Sequence, residues 1–482
     1  MKQTTFFKKT IAAVMSATML FTASAIPVSA AKSFETAESA VDSINAGWNL
    51  GNALDSCGEW IGLYTDGKPA SYETAWGNPV TTKKLITTVK KAGFNAIRVP
   101  VTWGEHIDSK GNIDKEWLDR VQEVVDYVIS QDLYCIINVH HDAGADGWLE
   151  ASSACYKNSS KKFAGLWKNI AVRFKDYDEK LIFESFNEIL DSKNSWTDAK
   201  TNDAYKAVND FNQLFVDTVR KTGGNNAERN LMVQVYSGSC SEKALAGFEL
   251  PTDTTKNHLI IQSHNYDPQG FTATDATWTT MTDKWGTDAE KAYFDKLFAR
   301  LGKFAEKQGA PMVIGEFAAN FKNNNDSRKA YANYFVSAAA KYGIKCFWWD
   351  TGDMALFDRS KCTVKHSEVV KALTSYFAKK TSAKTSTKKT EEADRPVVTA
   401  KKGTNKVTLK WTAVDDADAY RVYQYNPATK KYTRIKTVKG TSCTIKNLDE
   451  GSYKFIVCAA RKNGKSYKKI GENSKSVKVS VS

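Results

Sequence analysis

The chain has 482 residues, 42% of them apolar, which is enough for one large core and a second domain. Its formal net charge of +14 is unevenly placed: residues 379–482 hold 25 Lys and Arg against 9 Asp and Glu, whereas residues 31–378 carry a net −5. No segment after residue 30 is apolar enough to cross a bilayer and no nucleic-acid-binding motif is present, so neither a membrane protein nor a nucleic-acid partner is expected.

Residues 1–30 read as a signal peptide. Lys2, Lys8 and Lys9 form a positive head, an apolar stretch runs from about Ile11 to Ala25, and Val28-Ser29-Ala30 supplies small residues for cleavage. The mature protein is therefore expected to be secreted and extracellular, with no membrane contact after signal cleavage. Export permits disulfides, yet the eight cysteines show neither a framework spacing nor a metal knuckle. Cys135 and Cys346 lie in apolar runs and read as buried small hydrophobes. Cys57 with Cys155, and Cys443 with Cys458, are the candidate pairs.

From residue 31 to 378, short apolar runs alternate with amphipathic helical patterns such as Asp119–Val128 and Ala204–Val219. The runs are Gly47–Leu50, Ala96–Val99, Tyr134–Val139, Leu181–Phe186, Leu231–Tyr236, Leu259–Ser263, Pro311–Gly315 and Ile344–Trp349. Eight strand–helix units in roughly 330 residues predict an α/β fold, a (β/α)8 TIM barrel. The rival is a doubly wound open sheet. That fold leads one to expect a glycine-rich nucleotide loop after the first strand, and Gly47-Trp48-Asn49-Leu50-Gly51-Asn52 is not one.

Six of the runs end in residues that a core strand would not choose. Arg98 follows Ile97; His140, His141 and Asp142 follow Val139; Asn187 and Glu188 follow Phe186. His264, Asn265 and Tyr266 follow Ser263, Glu316 follows Gly315, and Trp349 and Asp350 close the last run. In a barrel these carboxyl-terminal ends converge on the face where activity is built. One such residue is readily a satisfied buried group; six strands behaving alike is hard to explain by packing.

Two facing glutamates suit glycoside hydrolysis, which needs one carboxyl to protonate the leaving oxygen and a second to attack the sugar or activate water. Glu188 is read as the acid/base and Glu316 as the nucleophile, kept ionised by Arg98 and by a hydrogen bond from Tyr266. Asn187 is read as holding the sugar 2-hydroxyl, with His140 and His264 lining the site. A metal reading of His140, His141, Asp142 and His264 lacks the His-x-His pair on the first strand, so no metal or other cofactor is expected. Sugar rings stack on aromatic faces, and Trp48, Trp60, Trp76, Trp103, Trp148, Trp196, Trp278, Trp285, Trp348 and Trp349 are the candidate surface. Trp117 and Trp167, inside helical patterns, read as core.

These segments resemble glycoside hydrolase family 5, the cellulase family A group, and look most like its subfamily 4 endoglucanases and xyloglucanases. The resemblance covers about residues 40–378 and rests on GWNLGNALD (47–55), ETAWGNPVTT (73–82), GFNAIRVPVTW (93–103), NVHHD (138–142), LIFESFNE (181–188), SHNYDP (263–268), VIGEF (313–317) and CFWWD (346–350). It implies a retaining endo-β-1,4-glucanase acting on cellulose, mixed-linkage glucan or xyloglucan. The family's active-site residues fall on Arg98, His140, Asn187, Glu188, His264, Tyr266, Glu316 and Trp349. It implies sugar contacts further along the cleft at Asn52 and Trp76, and His141 is grouped with the supporting residues. Ile189, Ala318 and Thr351 stand where the family usually has Pro, Gly and Asn, which leaves specificity for mannan or xylan as an alternative. A non-catalytic glycan-binding barrel is the other alternative; both carboxylates are present.

Residues 379–395 contain only Lys, Arg, Thr, Ser, Ala and acids and read as a linker. From 396 to 482, short alternating strands with turn signals predict a small all-β immunoglobulin-like sandwich. KVTLKWTAVDDADAYRVYQY and GSYKFIVCAARKNGKSY resemble a fibronectin type III module. Its basicity suits cell-wall contact or simple solubility. The expected partner is a polysaccharide, and the chain is expected to act as a monomer.

Overall fold

The computed structural model describes residues 34–143, 147–376, 396–414, 417–463, 466–469 and 473–481. The expected signal at 1–30 and linker at 379–395 lie outside them. Eight parallel strands close into a barrel: β1 (Gly47–Asn49), β2 (Ala96–Val99), β3 (Tyr134–Ile137), β4 (Leu181–Glu184), β5 (Leu231–Gln234), β6 (Leu259–His264), β7 (Met312–Phe317) and β8 (Lys345–Trp349). Each pairs with the next, and β8 returns to β1 in the register Gly47–Phe347, Trp48–Trp348 and Asn49–Trp349. All eight predicted runs became strands, which removes the doubly wound rival.

The helices between them form where apolar spacing and caps agree. In Lys115–Ile129 the buried residues are Trp117, Val121, Val124, Val125 and Val128, one stripe of a 3.6-residue period. Asp114 caps it by accepting from the Trp117 amide. Asp288–Gln308 opens with a Thr287/Glu290 capping box and stops at Gly309, whose φ of 69° suits a residue without Cβ.

Inside the barrel, two levels have opposite chemistry. The lower level is apolar: Ala96, Tyr134, Ile136, Ile182, Met232, Ile260, Val313 and Phe347 cluster with Ala37, Ala40, Val41 and Ile44. The short helix Ala37–Ser43 thus stoppers the amino-terminal end of the barrel. The upper level is polar and fully buried: Asn49, Arg98, Asn138, Glu184, Gln234 and Gln262. Asn49, Arg98, Asn138 and Glu184 are joined by hydrogen bonds through Arg98 and Glu184, while the Gln234 and Gln262 side-chain amides reach the His264 ring above them.

His106 shows the same tension outside the barrel. Its ring stacks on Trp117 at 3.8 Å and meets the Tyr72 edge at 4.4 Å. Burial pushes its pKa down to about 4, with Asp114 offsetting part of the effect. The folded chain therefore binds fewer protons here than the unfolded chain between about 4 and the ordinary 6.5. Stability present above 6.5 is lost as pH falls toward 4. His106→Phe keeps the stack and is expected to flatten that decline; parallel slopes for both proteins in urea unfolding at pH 4 to 7 would contradict it.

A short hairpin, β9 (Phe357–Asp358) with β10 (Thr363–Val364), precedes a final helix over 367–376. The C-terminal residues form two antiparallel sheets. One contains β11 (Val398–Gly403), β12 (Lys406–Trp411) and β15 (Ser442–Lys446). The other contains β13 (Ala419–Asn426), β14 (Lys431–Val438), β16 (Gly451–Asn463), β17 (Ser466–Lys469) and β18 (Val477–Val481). Val407, Leu409, Trp411, Tyr420, Val422, Phe455 and Val457 fill the space between the sheets, a β-sandwich. The Tyr453 hydroxyl donates to the Asp449 carbonyl at 2.9 Å, the upstream bond of a tyrosine corner.

Neither candidate disulfide forms. Cys155, Cys443 and Cys458 are free thiols. Cys443 faces the sandwich core, whereas Cys458, between the core-facing Val457 and Ala459, points to the other side of its sheet. Strand alternation alone forbids that pair.

Candidate active site

Strand ends bring the chemistry together. The Glu188 carboxylate, the His264 ring and the Glu316 carboxylate each offer an atom within 4.8 Å of the other two. Glu316, on β7, is buried. It accepts from Arg98 Nη1 at 2.7 Å on one oxygen and from the Tyr266 hydroxyl at 2.8 Å on the other. Burial opposes its charge, but His264, Arg98 and the Tyr266 bond together hold its carboxyl below the ordinary value. Tyr266 is pushed the other way, first by burial and then by Glu316 and Glu188, so it stays a protonated donor.

Glu188 lies four residues beyond the end of β4 and has a different environment. Its side chain is 18% exposed, and Oε1 accepts from His264 Nδ1 at 2.7 Å. Burial lowers the His264 pKa, while Glu316 and Glu188 outweigh it and leave the imidazole more basic than usual. His264 therefore links the two carboxylates, 2.7 Å from one and 3.7 Å from the other.

The other expected residues take up positions around this pair. Asn187 Oδ1 accepts from Arg98 Nη2 at 2.9 Å, which leaves its amide N–H groups to donate elsewhere. His140 Nδ1 lies 3.0 Å from Asn138 Nδ2, a donor, so the ring proton sits on Nε2. Burial keeps His140 neutral, with its pKa well below the ordinary value. Its ring stacks on Trp349 at 5.6 Å with planes 7° apart, and Trp349 in turn covers Gly51, where a Cβ would land 2.7 Å from the indole. His141, Asn52 and Trp76 gather around Asp55. His141 Nε2 is 3.6 Å from the Asp55 carboxylate, the Asn52 backbone N–H donates to that carboxylate at 3.0 Å, and Trp76 meets His141 at 5.1 Å.

Two groups have ligand-type atoms close enough for a cation: Asp55, His140 and His141, and Glu188, His264 and Glu316. In the second, the carboxylate oxygens already accept from His264, Arg98 and Tyr266, an arrangement suited to handling protons.

Arg98 serves Glu316 as expected, and its bidentate grip, 2.6 and 2.7 Å, is on Glu184, a further fully buried carboxylate that is not among the expected site residues. Asn138 Nδ2 also donates to Glu184 at 2.9 Å, and Asn49 Oδ1 accepts from Arg98 at 3.0 Å. The available signal was a Glu inside the apolar run LIFESFNE, a charge that no strand buries without a partner. The tryptophan surface is also smaller than expected. Trp48, Trp103, Trp285 and Trp348 are core residues, as Trp117 and Trp167 were expected to be. Trp60, Trp196 and Trp278 are exposed.

This geometry meets its relatives in sequence. The Cellulase (glycosyl hydrolase family 5) model matches residues 58–355. The chain belongs to glycosyl hydrolase family 5. Endoglucanase A of Clostridium longisporum is 40% identical over 349 residues, which cover 71% of this chain and 65% of that protein. The chain thus spans just under two thirds of that relative's length. A GH5-4 broad specificity endoglucanase from Ruminococcus champanellensis with bound cellotriose matches with a TM-score of 0.66 at 38% identity, over 71% of this chain and 100% of that one. A variant of PbGH5A, a family 5 enzyme from Prevotella bryantii B14, in complex with a xyloglucan tetradecasaccharide, matches with a TM-score of 0.65 at 36% identity, over 71% and 99% of the two chains.

In this family 5 barrel Tyr266 is a usable probe of Glu316. Tyr266→Phe removes a donor to the charged carboxylate, so the carboxyl pKa must rise. The acidic limb of the kcat/KM profile is expected to move to higher pH, with a drop in kcat of about 10- to 100-fold. An unmoved acidic limb would show that Glu316 is not the group titrating there.

Proposed function

We propose that the chain is a secreted, retaining endo-β-1,4-glucanase acting on cellulose, mixed-linkage glucan or xyloglucan by double displacement. The observation that carries this reading is the separation of the two carboxylates, at most 4.8 Å between their nearer oxygens. Retaining glycosidases keep theirs about 5 Å apart, whereas inverting ones leave about 6.5–9.5 Å for a water. Named relatives that are endoglucanases, and the bound cellotriose and xyloglucan of two solved structures, support the substrate class.

In the first step Glu188 gives its proton to the glycosidic oxygen while a Glu316 oxygen attacks the anomeric carbon and the leaving chain departs as an alcohol. Glu316 is suited to attack because Arg98 and Tyr266 keep it anionic and aimed. Glu188 is suited to proton transfer because Arg98 does not bind it and because it borders open space. A cavity of about 440 Å³ opens beside it between Trp196, Ser237, Tyr266 and Tyr293, where the departing sugar would lie. In the second step Glu188 takes a proton from water, the hydroxide oxygen bonds the anomeric carbon, and Glu316 leaves. Asn187 donates to the 2-hydroxyl in both steps, and Trp349 underlies the ring being attacked.

Proton NMR of the first seconds of cellotetraose cleavage tests the stereochemistry. The β-anomer is expected to appear first, with the α-anomer growing only by mutarotation; initial α product would overturn the mechanism. Export is part of the same proposal, and the mature protein recovered from the medium is expected to begin after Ala30. The sandwich is read as a fibronectin type III-like module, supported by its two sheets and tyrosine corner.

A further inference from the structure

The C-terminal sandwich carries a surface that the barrel chemistry does not use. Its eight strands contain 15 Lys and Arg and no Asp or Glu. Among the described residues of this module the acids, Asp418, Asp449 and Glu450, all lie between strands. Solubility does not require this segregation, since interspersed charges of both signs serve as well. The segregation also opposes folding. Lys406 stands opposite Lys446, Lys454 opposite Lys478, and Arg461 opposite Lys468. Like charges directly across a ladder destabilise it.

The larger sheet adds aromatic rings to the charge. Phe455 and Val457 of β16 face the core, so Lys454, Ile456 and Cys458 lie on the opposite side of the sheet, where Lys454 is exposed and Ile456 and Cys458 are buried. Cross-strand register places Tyr423 beside Ile456 and Arg421 beside Cys458 on that outer face. On β14, Arg434 then pairs with Tyr423 and Tyr432 with Tyr425, while Lys478 of β18 lies beside Lys454. The Tyr425 and Tyr432 rings are 5.3 Å apart, and Lys454 Nζ sits 5.5 Å from the Tyr425 centroid. The three tyrosines are half-buried, while Arg434, Lys454 and Lys478 are exposed.

We propose that this outer face binds an acidic polysaccharide, a polymer of uronate sugars. Pyranose rings lie on Tyr423, Tyr425 and Tyr432, and their carboxylates meet Arg434, Lys454 and Lys478. A polyphosphate would satisfy the cations and leave the tyrosines idle. A neutral glucan would use the rings and leave unscreened positive charge. A uronate polymer uses both features.

The test is titration of the full-length protein with polygalacturonate, inorganic polyphosphate and neutral hydroxyethyl-cellulose, at about 50 mM and about 500 mM salt, across the range where screening grows. Polygalacturonate is expected to bind most tightly, and more weakly at high salt. Tyr425→Ala/Tyr432→Ala and Lys454→Gln/Lys478→Gln are each expected to weaken it tenfold or more. Turnover of neutral xyloglucan should be unchanged in both, which also reports that the barrel is intact. Polyphosphate affinity should fall only in the lysine pair. Absence of polygalacturonate binding at low salt overturns the proposal. So does polyphosphate binding as tight as polygalacturonate, or polygalacturonate affinity that the tyrosine pair leaves untouched, because either outcome describes a bare cationic surface.

Discussion

Glu316→Gln is expected to lower kcat on soluble xyloglucan by at least about 10⁴-fold, the order seen when an attacking group is removed from an active site. The change is nearly isosteric, and the amide can still accept from either Arg98 or Tyr266, so the barrel should fold and oligosaccharides should still bind. Loss of rate with binding retained is therefore the predicted signature. Retention of more than a few per cent of activity would reject the nucleophile assignment. External azide separates the two carboxylates further. With an aryl glycoside, azide should rescue Glu188→Ala to a β-glycosyl azide and Glu316→Gly to an α-glycosyl azide, because each vacated carboxylate exposes a different face of the sugar.

The largest effect on stability is expected at Arg98, although it touches catalysis as well. Arg98→Leu strands Glu184, which is fully buried and keeps only Asn138 as a donor, and leaves Glu316 with Tyr266. Removing one partner of a buried ion pair destabilises by about 3–5 kcal/mol, because the remaining charge has no water to turn to. Twelve of the 13 tryptophans precede residue 379, so fluorescence during urea unfolding reports on the barrel. Arg98→Lys should also destabilise, since an ammonium cannot repeat the two-pronged grip. The pH dependence has a definite sign. The depressed Glu316 carboxyl contributes stability above its ordinary value of 4.5, lost as pH falls through the folded value. The gap between wild type and Arg98→Leu should therefore narrow on acidification. The double change Arg98→Leu/Glu184→Leu should recover part of the loss at neutral pH. An unfolding midpoint unchanged in Arg98→Leu would remove the argument for the polar level of the barrel.

The strands and their reactive ends were legible because each has a local signature: a short apolar run followed at once by His, Asn, Glu or Trp. Glu188, Glu316, His264 and Tyr266 could be placed on one face by topology alone. Glu184 could not be read as readily. Its importance lies in a contact 86 residues away with Arg98, and an arginine that touches one carboxylate looks the same in sequence as one that touches two. The tryptophans failed for a related reason. Trp348 and Trp349 are adjacent, yet strand alternation turns the first into the core and the second toward His140. Composition records how many rings there are, and only the pleat says which way each one points.

The two-level barrel interior separates what can vary from what cannot. The exposed Trp60 and Trp196 and the partly buried Thr351 lie outside the barrel strands. The hydrogen bonds that aim Glu316 run downward through Arg98 to Glu184 and Asn138, away from solvent. Loops at the mouth can therefore differ while the Glu316 carboxylate keeps its hydrogen bonds from Arg98 and Tyr266. An engineer who grafts only the rim would inherit preference without reactivity, unless the sealed arginine and its hidden counter-ion came with it.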